Sequence, residues 1–336
     1  MRIGIDAMGA DRAPAEEVRG ALAARELLGK DDRIVLIGAE PAIRQHLDGQ
    51  AGWQEFIEIV HTDQAIQMGD PPVEALKAKP RASIPLMAQL AAMKKIDACI
   101  SAGNTGACVA AATVLLKRLP GVSRPGIAVV TPTFYGPVVI CDVGANVNCR
   151  PQHLYQYGVM ASLYSQTICG VKRPRVGLMS VGEEQAKGNE LVKKTHELLK
   201  ADTDLNFVGN AEGRDIFRGT HDVVVCEGFV GNVVLKLMEG MAEAVIKSLV
   251  AETAKSMPQH LDVVKQAAKT MVTRWDFNEY GGAPLLGVDG IYIICHGASS
   301  YRGIMNAVRC AKEFATQQVN PRIVEQLGRS EGPVNE

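Results

Sequence analysis

Ten short runs rich in Val and Ile punctuate this chain: RIGID (2–6), RIVLIG (33–38), IEIVH (57–61), DACIS (97–101), GIAVV (126–130), GPVVICDV (136–143), RVGLMSV (175–181), NFVGN (206–210), DVVVC (222–226) and IYIIC (291–295). Between most of them lie segments with helical spacing, such as APAEEVRGALAARELL and NELVKKTHELLK. Strands that are apolar on both faces must be covered on both, and alternation with helices supplies the cover. The expectation is an α/β fold with a doubly wound, mostly parallel sheet. GIAVV and PVVICDV are joined by TPTFYG, a Pro- and Gly-bearing turn, which predicts an antiparallel hairpin within that sheet. No linker composition or internal repeat divides the chain, so residues 1–336 read as a single domain.

One segment breaks the alternation. Residues 233–275, extending to about 277, hold two long helical patterns with no strand between them, predicting a helical hairpin that leaves the sheet. Its second half places Leu261, Val264, Ala268, Met271 and Trp275 on one face, with Lys265, Lys269 and Arg274 off that stripe. The stripe requires cover, from the core or a second copy, or from a membrane surface or an acidic partner.

Bulk properties exclude several functions. With 47% hydrophobic and 22% charged residues and a formal net charge of −1, nothing points to nucleic acid. The N-terminal MRIGIDAMGADRAP reads as a first strand and lacks the apolar core of a signal peptide. The uncharged window Ala98–Leu116 carries Ser101, Asn104, Thr105 and two glycines, so strand–turn–helix is preferred over a membrane span. Eight scattered cysteines without a C-x-x-C pair suit reduced, buried thiols and a cytoplasmic setting, with surface contact at a membrane left open. No metal or cofactor is expected. DTDLNFVGNAEG has Phe207 where a calcium loop turns on Gly, HELLK lacks the second His of a zincin helix, and neither a G-x-G-x-x-G after the first strand nor a P-loop occurs.

What remains is a set of polar, Gly-bearing turns at strand ends: DAMGAD (6–11), SAGNTGA (101–107), DVGANVN (142–148), SVGEEQAKGNE (180–190), CEGFVGNVVLK (226–236) and CHGASS (295–300). Ligands of open α/β sheets bind beyond such strand ends, where helix starts present N–H groups to anions and glycines permit close approach. The candidate binding residues are therefore Ser101, Gly103, Asn104, Thr105 and Gly106, with Asn146, Gly188, Asn189, Gly228, Gly231 and His296. Lys187 stands just ahead of Gly188–Asn189, either reaching a bound anion or balancing Glu183 and Glu184 in solvent. Asn232 either faces a ligand or caps a helix. His296 either orients an anion or caps and packs.

In their order and spacing DAMGADRAP, ISAGNTGA, DVGANVN with HLYQYGVM, VGEEQAKGNE, GFVGNVVLKLMEG and YGGAPLLGVDG…HGASS resemble the bacterial phosphate acyltransferase family over essentially the whole chain. Ala10 and Arg12 stand where that family usually has Gly and His, and Asn148 and Glu227 where Asp is frequent. The resemblance implies a three-layer α/β/α fold like that of phosphotransacetylases and the isocitrate dehydrogenase superfamily, in a homodimer.

It further implies transfer of a fatty acyl group from an acyl carrier protein thioester to inorganic phosphate. The acyl phosphate product would pass to a membrane glycerol-phosphate acyltransferase for phosphatidic acid synthesis. The residues suit that chemistry. Phosphate, with its second pKa near ~6, is largely a dianion at neutral pH and needs no strong base. A thiolate with a reference pKa of about 8.5 leaves without much acid assistance. Positioning and oxyanion stabilisation are what the protein must supply. On this reading Lys187 and Asn232 act on the reacting centre, backbone N–H groups of 103–106 hold phosphate, and Lys265, Lys269 and Arg274 receive the acidic carrier. A coenzyme A thioester in place of the carrier, or a non-catalytic scaffold for membrane lipid enzymes, are the alternatives.

Overall fold

The computed structural model describes residues 1–274 and 277–330. The chain begins β1 (Arg2–Asp6), α1 (Ala15–Ala23), β2 (Arg33–Gly38), α2 (Glu40–Leu47) and β3 (Ile57–His61). There follow α3 (Pro72–Ala78), α4 (Ser83–Ala92), β4 (Ala98–Ser101), α5 (Thr105–Ala111), β5 (Gly126–Thr133), β6 (Gly136–Cys141) and α6 (Pro151–Thr167). The second half holds β7 (Val176–Met179), α7 (Glu190–Ala201), β8 (Phe207–Ala211), β9 (Val223–Val225), α8 (Gly228–Ser256) and α9 (Leu261–Arg274). It closes with β10 (Ala283–Leu286), β11 (Ile291–Ile294), α10 (Tyr301–Thr316) and α11 (Val319–Ser330).

Among the described residues the strands form one eleven-stranded sheet in the order β3-β2-β1-β4-β11-β10-β5-β6-β9-β7-β8. The predicted β5–β6 hairpin is antiparallel, pairing Ala128 with Cys141 through to Thr133 with Gly136. A strand that the Val/Ile runs do not announce, β10, pairs antiparallel with both β11 and β5. These reversals make β3, β2, β1, β4 and β11 run one way and β6, β9, β7 and β8 the other. The sheet is thus two parallel halves of opposite sense, joined through β10 and β5.

Three buried clusters fill the two interfaces between the sheet and its helical layers. One face of the sheet is covered by α4 and α5, with Val230, Val234, Leu235 and Met238 of α8 packed against the same core. The other face carries two separate cores, one under α1 and α10 and one under α6 and α11. Strands β1 and β4 are almost wholly buried, as suits sequences that are apolar except at their ends, where Arg2, Asp6 and Ser101 stand.

The hairpin predicted over 233–277 is present, but α8 begins earlier, at Gly228, and runs 29 residues. The stripe predicted on α9 lies along the seam with α8: Ala268 is buried, and Leu261 and Val264 are half-buried. Met271 stays exposed. Trp275 and the side chain of Arg274 fall outside the described residues. A second apolar stripe, not anticipated, runs down α8 at four-residue steps: Val233, Leu237, Met241, Val245 and Leu249, each 48–66% exposed. No helix among the described residues is long and apolar enough to cross a membrane.

Candidate functional site

Two buried aspartates shape the loops of the central cleft. Asp6, the last residue of β1, accepts the Met8 N–H (3.1 Å) and the Ser101 hydroxyl (2.7 Å). The Ser101 oxygen in turn accepts the Gly103 N–H at 3.1 Å, fixing the turn between β4 and α5. Asp142, just after β6, accepts the N–H groups of Ile127, Gly144, Ala145 and Asn146 at 2.7–3.2 Å. Burial raises both carboxyl pKa values, and the donated hydrogen bonds oppose that rise. The loops after β1 and β4 also touch backbone to backbone. A Cβ on Gly9 would lie 2.7 Å from the Gly103 nitrogen, a contact only glycine allows.

Between the two halves of the sheet lies a cleft of about 500 Å³. One wall is apolar: Ile127, Val129 and Val130 of β5, with Val143, Leu235, Ala283 and Ile294. The remainder of the lining includes the polar side chains Asp11, Thr105, Asn232, Lys236, Glu239 and His296, with Gly103, Gly228 and Gly297. Five of the six polar turns therefore supply lining residues. His296 Nδ1 accepts the Ala298 N–H at 3.2 Å, which puts the proton of a neutral ring on Nε2.

Of the residues singled out from sequence, Gly103, Thr105, Gly228, Asn232 and His296 line the cleft. Others serve the scaffold. Ser101 is buried, engaged with Asp6 and Gly103, and not part of the cleft lining. Asn104 caps α5 through the Ala107 N–H (3.0 Å), while its amide nitrogen lies 3.0–3.1 Å from the carbonyls of Gln67, Met68 and Asp70. Gly106 packs on Pro72, and the Asn146 amide donates to Pro125 O and Tyr157 Oη. Gly231 lets α8 press on the Asp142 carbonyl, where a Cβ would come within 1.9 Å.

The expected backbone cradle is reduced. The Gly103 N–H goes to Ser101, and the Gly228 N–H goes to the Asn146 carbonyl at 2.8 Å. Asn232 does not cap α8. Glu227 does, accepting the Phe229 and Val230 N–H groups, and Asn232 stands in the second turn with its side chain on the cleft. Lys187, Gly188 and Asn189 lie outside the cleft lining of the single chain. Lys187 is exposed on the loop after β7, Gly188 adopts φ +96° in its turn, and Asn189 caps α7 by accepting the Val192 N–H. Arg12 is also off the cleft, paired with Glu16 at 3.4 Å. Lys265 and Lys269 are exposed on α9, remote in sequence from every lining residue.

Sequence reasoning missed Lys236, Glu239 and Asp11 as cleft residues. The four-residue step from Asn232 to Lys236 was the available signal, since it puts both on one face of a helix.

Beneath the loop after β1, Glu17 is buried. Its Oε1 accepts the Ala10 N–H at 3.2 Å, and Oε2 has no hydrogen-bond partner among the described residues. Burial, with Asp6 and Glu16 nearby, pushes its pKa up to about 7. Six of the eight cysteines are buried and all are reduced, in keeping with expectation. Glu183, Glu212 and Asp215 approach one another near the Lys187 loop, but Arg214 and Arg218 already pair with the latter two.

In solved structures the same architecture occurs in a phosphotransacetylase from Streptococcus pyogenes (TM-score 0.62, 16% identity, 94% of each chain). It occurs also in one from Staphylococcus aureus (TM-score 0.60, 15% identity, 94% of each chain). Sequence relationships define the class as an acyltransferase. Residues 1–322 match the family model described as "Fatty acid synthesis protein". The phosphate acyltransferase of Trichlorobacter lovleyi is 44% identical over 334 residues, 99% of this chain and 96% of that one. That of Pelotomaculum thermopropionicum is 46% identical over 332 residues, 98% of this chain and 95% of that one. The chain belongs to this phosphate acyltransferase family of fatty acid synthesis proteins.

Proposed function

We propose that the acyl donor is an acyl carrier protein thioester, that inorganic phosphate is the acceptor, and that the acyl phosphate enters phosphatidic acid synthesis. The observation that carries this reading is the mixed lining of the cleft, which combines apolar β5 side chains with the polar Thr105, Asn232 and His296. An acyl chain suits the first and phosphate the second. A phosphate oxygen attacks the thioester carbonyl, the tetrahedral oxyanion collapses, and the C–S bond breaks to release the thiolate, which takes up a proton from water. Asn232 donates to phosphate or the oxyanion from a rigid second turn, so its amide is in place before charge develops. Lys187 lies off the single-chain cleft. A part for it in charge stabilisation requires its loop, or a second copy, to deliver it.

The exposed four-residue stripe of α8 supports a homodimer. Ridges at i±4 are those that interlock when two helices cross, and such a stripe is costly to leave in water. The exposed Lys265 and Lys269 on α9 suit an acidic carrier, and the exposed Met257 and Val263 near the hairpin bend suit transient contact with a membrane surface. Hand-over of the product to a membrane acyltransferase would follow there.

The deciding experiment incubates the protein with phosphate and either the carrier thioester or the coenzyme A thioester, trapping acyl phosphate with hydroxylamine. Phosphate-dependent product from the carrier thioester, at much higher kcat/KM, is expected. Preference for coenzyme A would make it a phosphotransacetylase-type enzyme, and no product from either would leave the scaffold reading.

A further inference from the structure

The polar part of the cleft lining is short of positive charge. The Gly103 and Gly228 N–H groups are consumed internally, and two carboxylates, Asp11 and Glu239, face the same space. Among the described residues lining the cleft, Lys236 is the only lysine or arginine. It stands one helical turn beyond Asn232, so their Cβ atoms are about 5–6 Å apart on one face of α8. An anion hydrogen-bonded to the Asn232 amide is thus within the span of the lysine side chain. The Lys236 ammonium is paired with Glu239 Oε2 at 2.7 Å, with side chains 49% and 24% exposed.

We propose that Lys236 is the cation that receives the phosphate nucleophile, and that Glu239 competes with phosphate for the same ammonium. This rests on the reading of phosphate as acceptor. A half-exposed Lys–Glu pair three residues apart contributes little, so a dianion held also by Asn232 displaces the carboxylate readily. The exchange moves no proton. It leaves the phosphate nucleophile partly neutralised, in a cleft that Asp11 and His296 also line. Glu239 then sets phosphate affinity, weakening it by occupying the cation.

The two partners make opposite predictions. Binding of inorganic phosphate is measured by calorimetry on the unaltered protein, Lys236→Met and Glu239→Gln, with steady-state kinetics alongside. Loss of a charge-assisted hydrogen bond in Lys236→Met should raise the phosphate Kd and KM roughly tenfold to a hundredfold, with the acyl-donor KM little moved. Glu239→Gln should lower the phosphate Kd severalfold. A purely structural ion pair would move both variants the same way or neither. The inference is overturned if Lys236→Met keeps its phosphate Kd within twofold, if Glu239→Gln binds phosphate no better, or if the unaltered protein binds no phosphate. Phosphate binding without turnover of any acyl thioester would instead sink the proposed reaction and leave Lys236 to be judged by calorimetry.

Discussion

The Ser101 hydroxyl donates to Asp6 Oδ2 at 2.7 Å, on the floor of the turn that looks in sequence like a ligand cradle. Two strands, β1 and β4, are tied at their ends by this bond. Ser101→Ala should lower stability by about 1–3 kcal/mol, because a buried carboxylate and the Gly103 N–H each lose a partner. Turnover should fall modestly. Removing a serine nucleophile would instead cost on the order of 10⁶, so thermal unfolding and kcat together separate the roles.

On the proposed reading Asn232 donates to developing charge from the cleft wall. Asn232→Ala should reduce kcat by on the order of 10²–10³ with a normal unfolding profile. A loss below tenfold would remove it from the chemistry.

Gly231 carries the contact between α8 and the Asp142 loop. In Gly231→Ala the new methyl carbon would meet the Asp142 carbonyl oxygen at 1.9 Å, and that atom belongs to backbone. The expected result is displacement of α8, with a clear drop in melting temperature and near-complete loss of activity. An alanine variant of wild-type stability would show that the helix does not press there.

Glu17 makes stability depend on pH. Its folded pKa of about 7 lies above the ordinary 4.5, so the folded state holds a proton that the unfolded state has released. The stabilisation is full below about 4.5, declines as pH rises, and is lost above about 7, amounting to at most ~3 kcal/mol. Glu17→Gln, which keeps an acceptor for the Ala10 N–H, should flatten denaturant midpoints across that window and raise them above pH 7. An unchanged pH profile in the variant would show Glu17 ionised as usual.

The α8 stripe predicts association. Leu237→Glu with Met241→Glu should convert a two-chain species into single chains in sedimentation velocity. If the unaltered protein already sediments as one chain, the stripe has another occupant.

The alternation of β-rich and helical runs made most of the sheet legible, because each run announces itself locally. Strand β10 did not. APLL contains a proline, which has no N–H for a ladder, and it is bounded by Gly281, Gly282 and Gly287, all with positive φ. Only pairing with β5 and β11, more than a hundred residues apart, makes it a strand. The site was legible as loops rather than as atoms. Polar turns mark strand ends, but whether Asn104 faces a ligand or the 67–70 carbonyls is decided by a segment over thirty residues away. Likewise the face of α8 that carries Lys236 meets the cleft only because Gly231 seats the helix on Asp142.

The order of the sheet also bears on synthesis. β10 and β11, the last strands in chain order among the described residues, occupy its middle, with β4 on one side and β5 on the other. A nascent chain lacking them holds two half-sheets and no junction, and Glu16 has no Tyr301 N–H to accept. Catalytic competence should therefore arrive abruptly, once β10 and β11 have left the ribosome and docked, rather than growing with length.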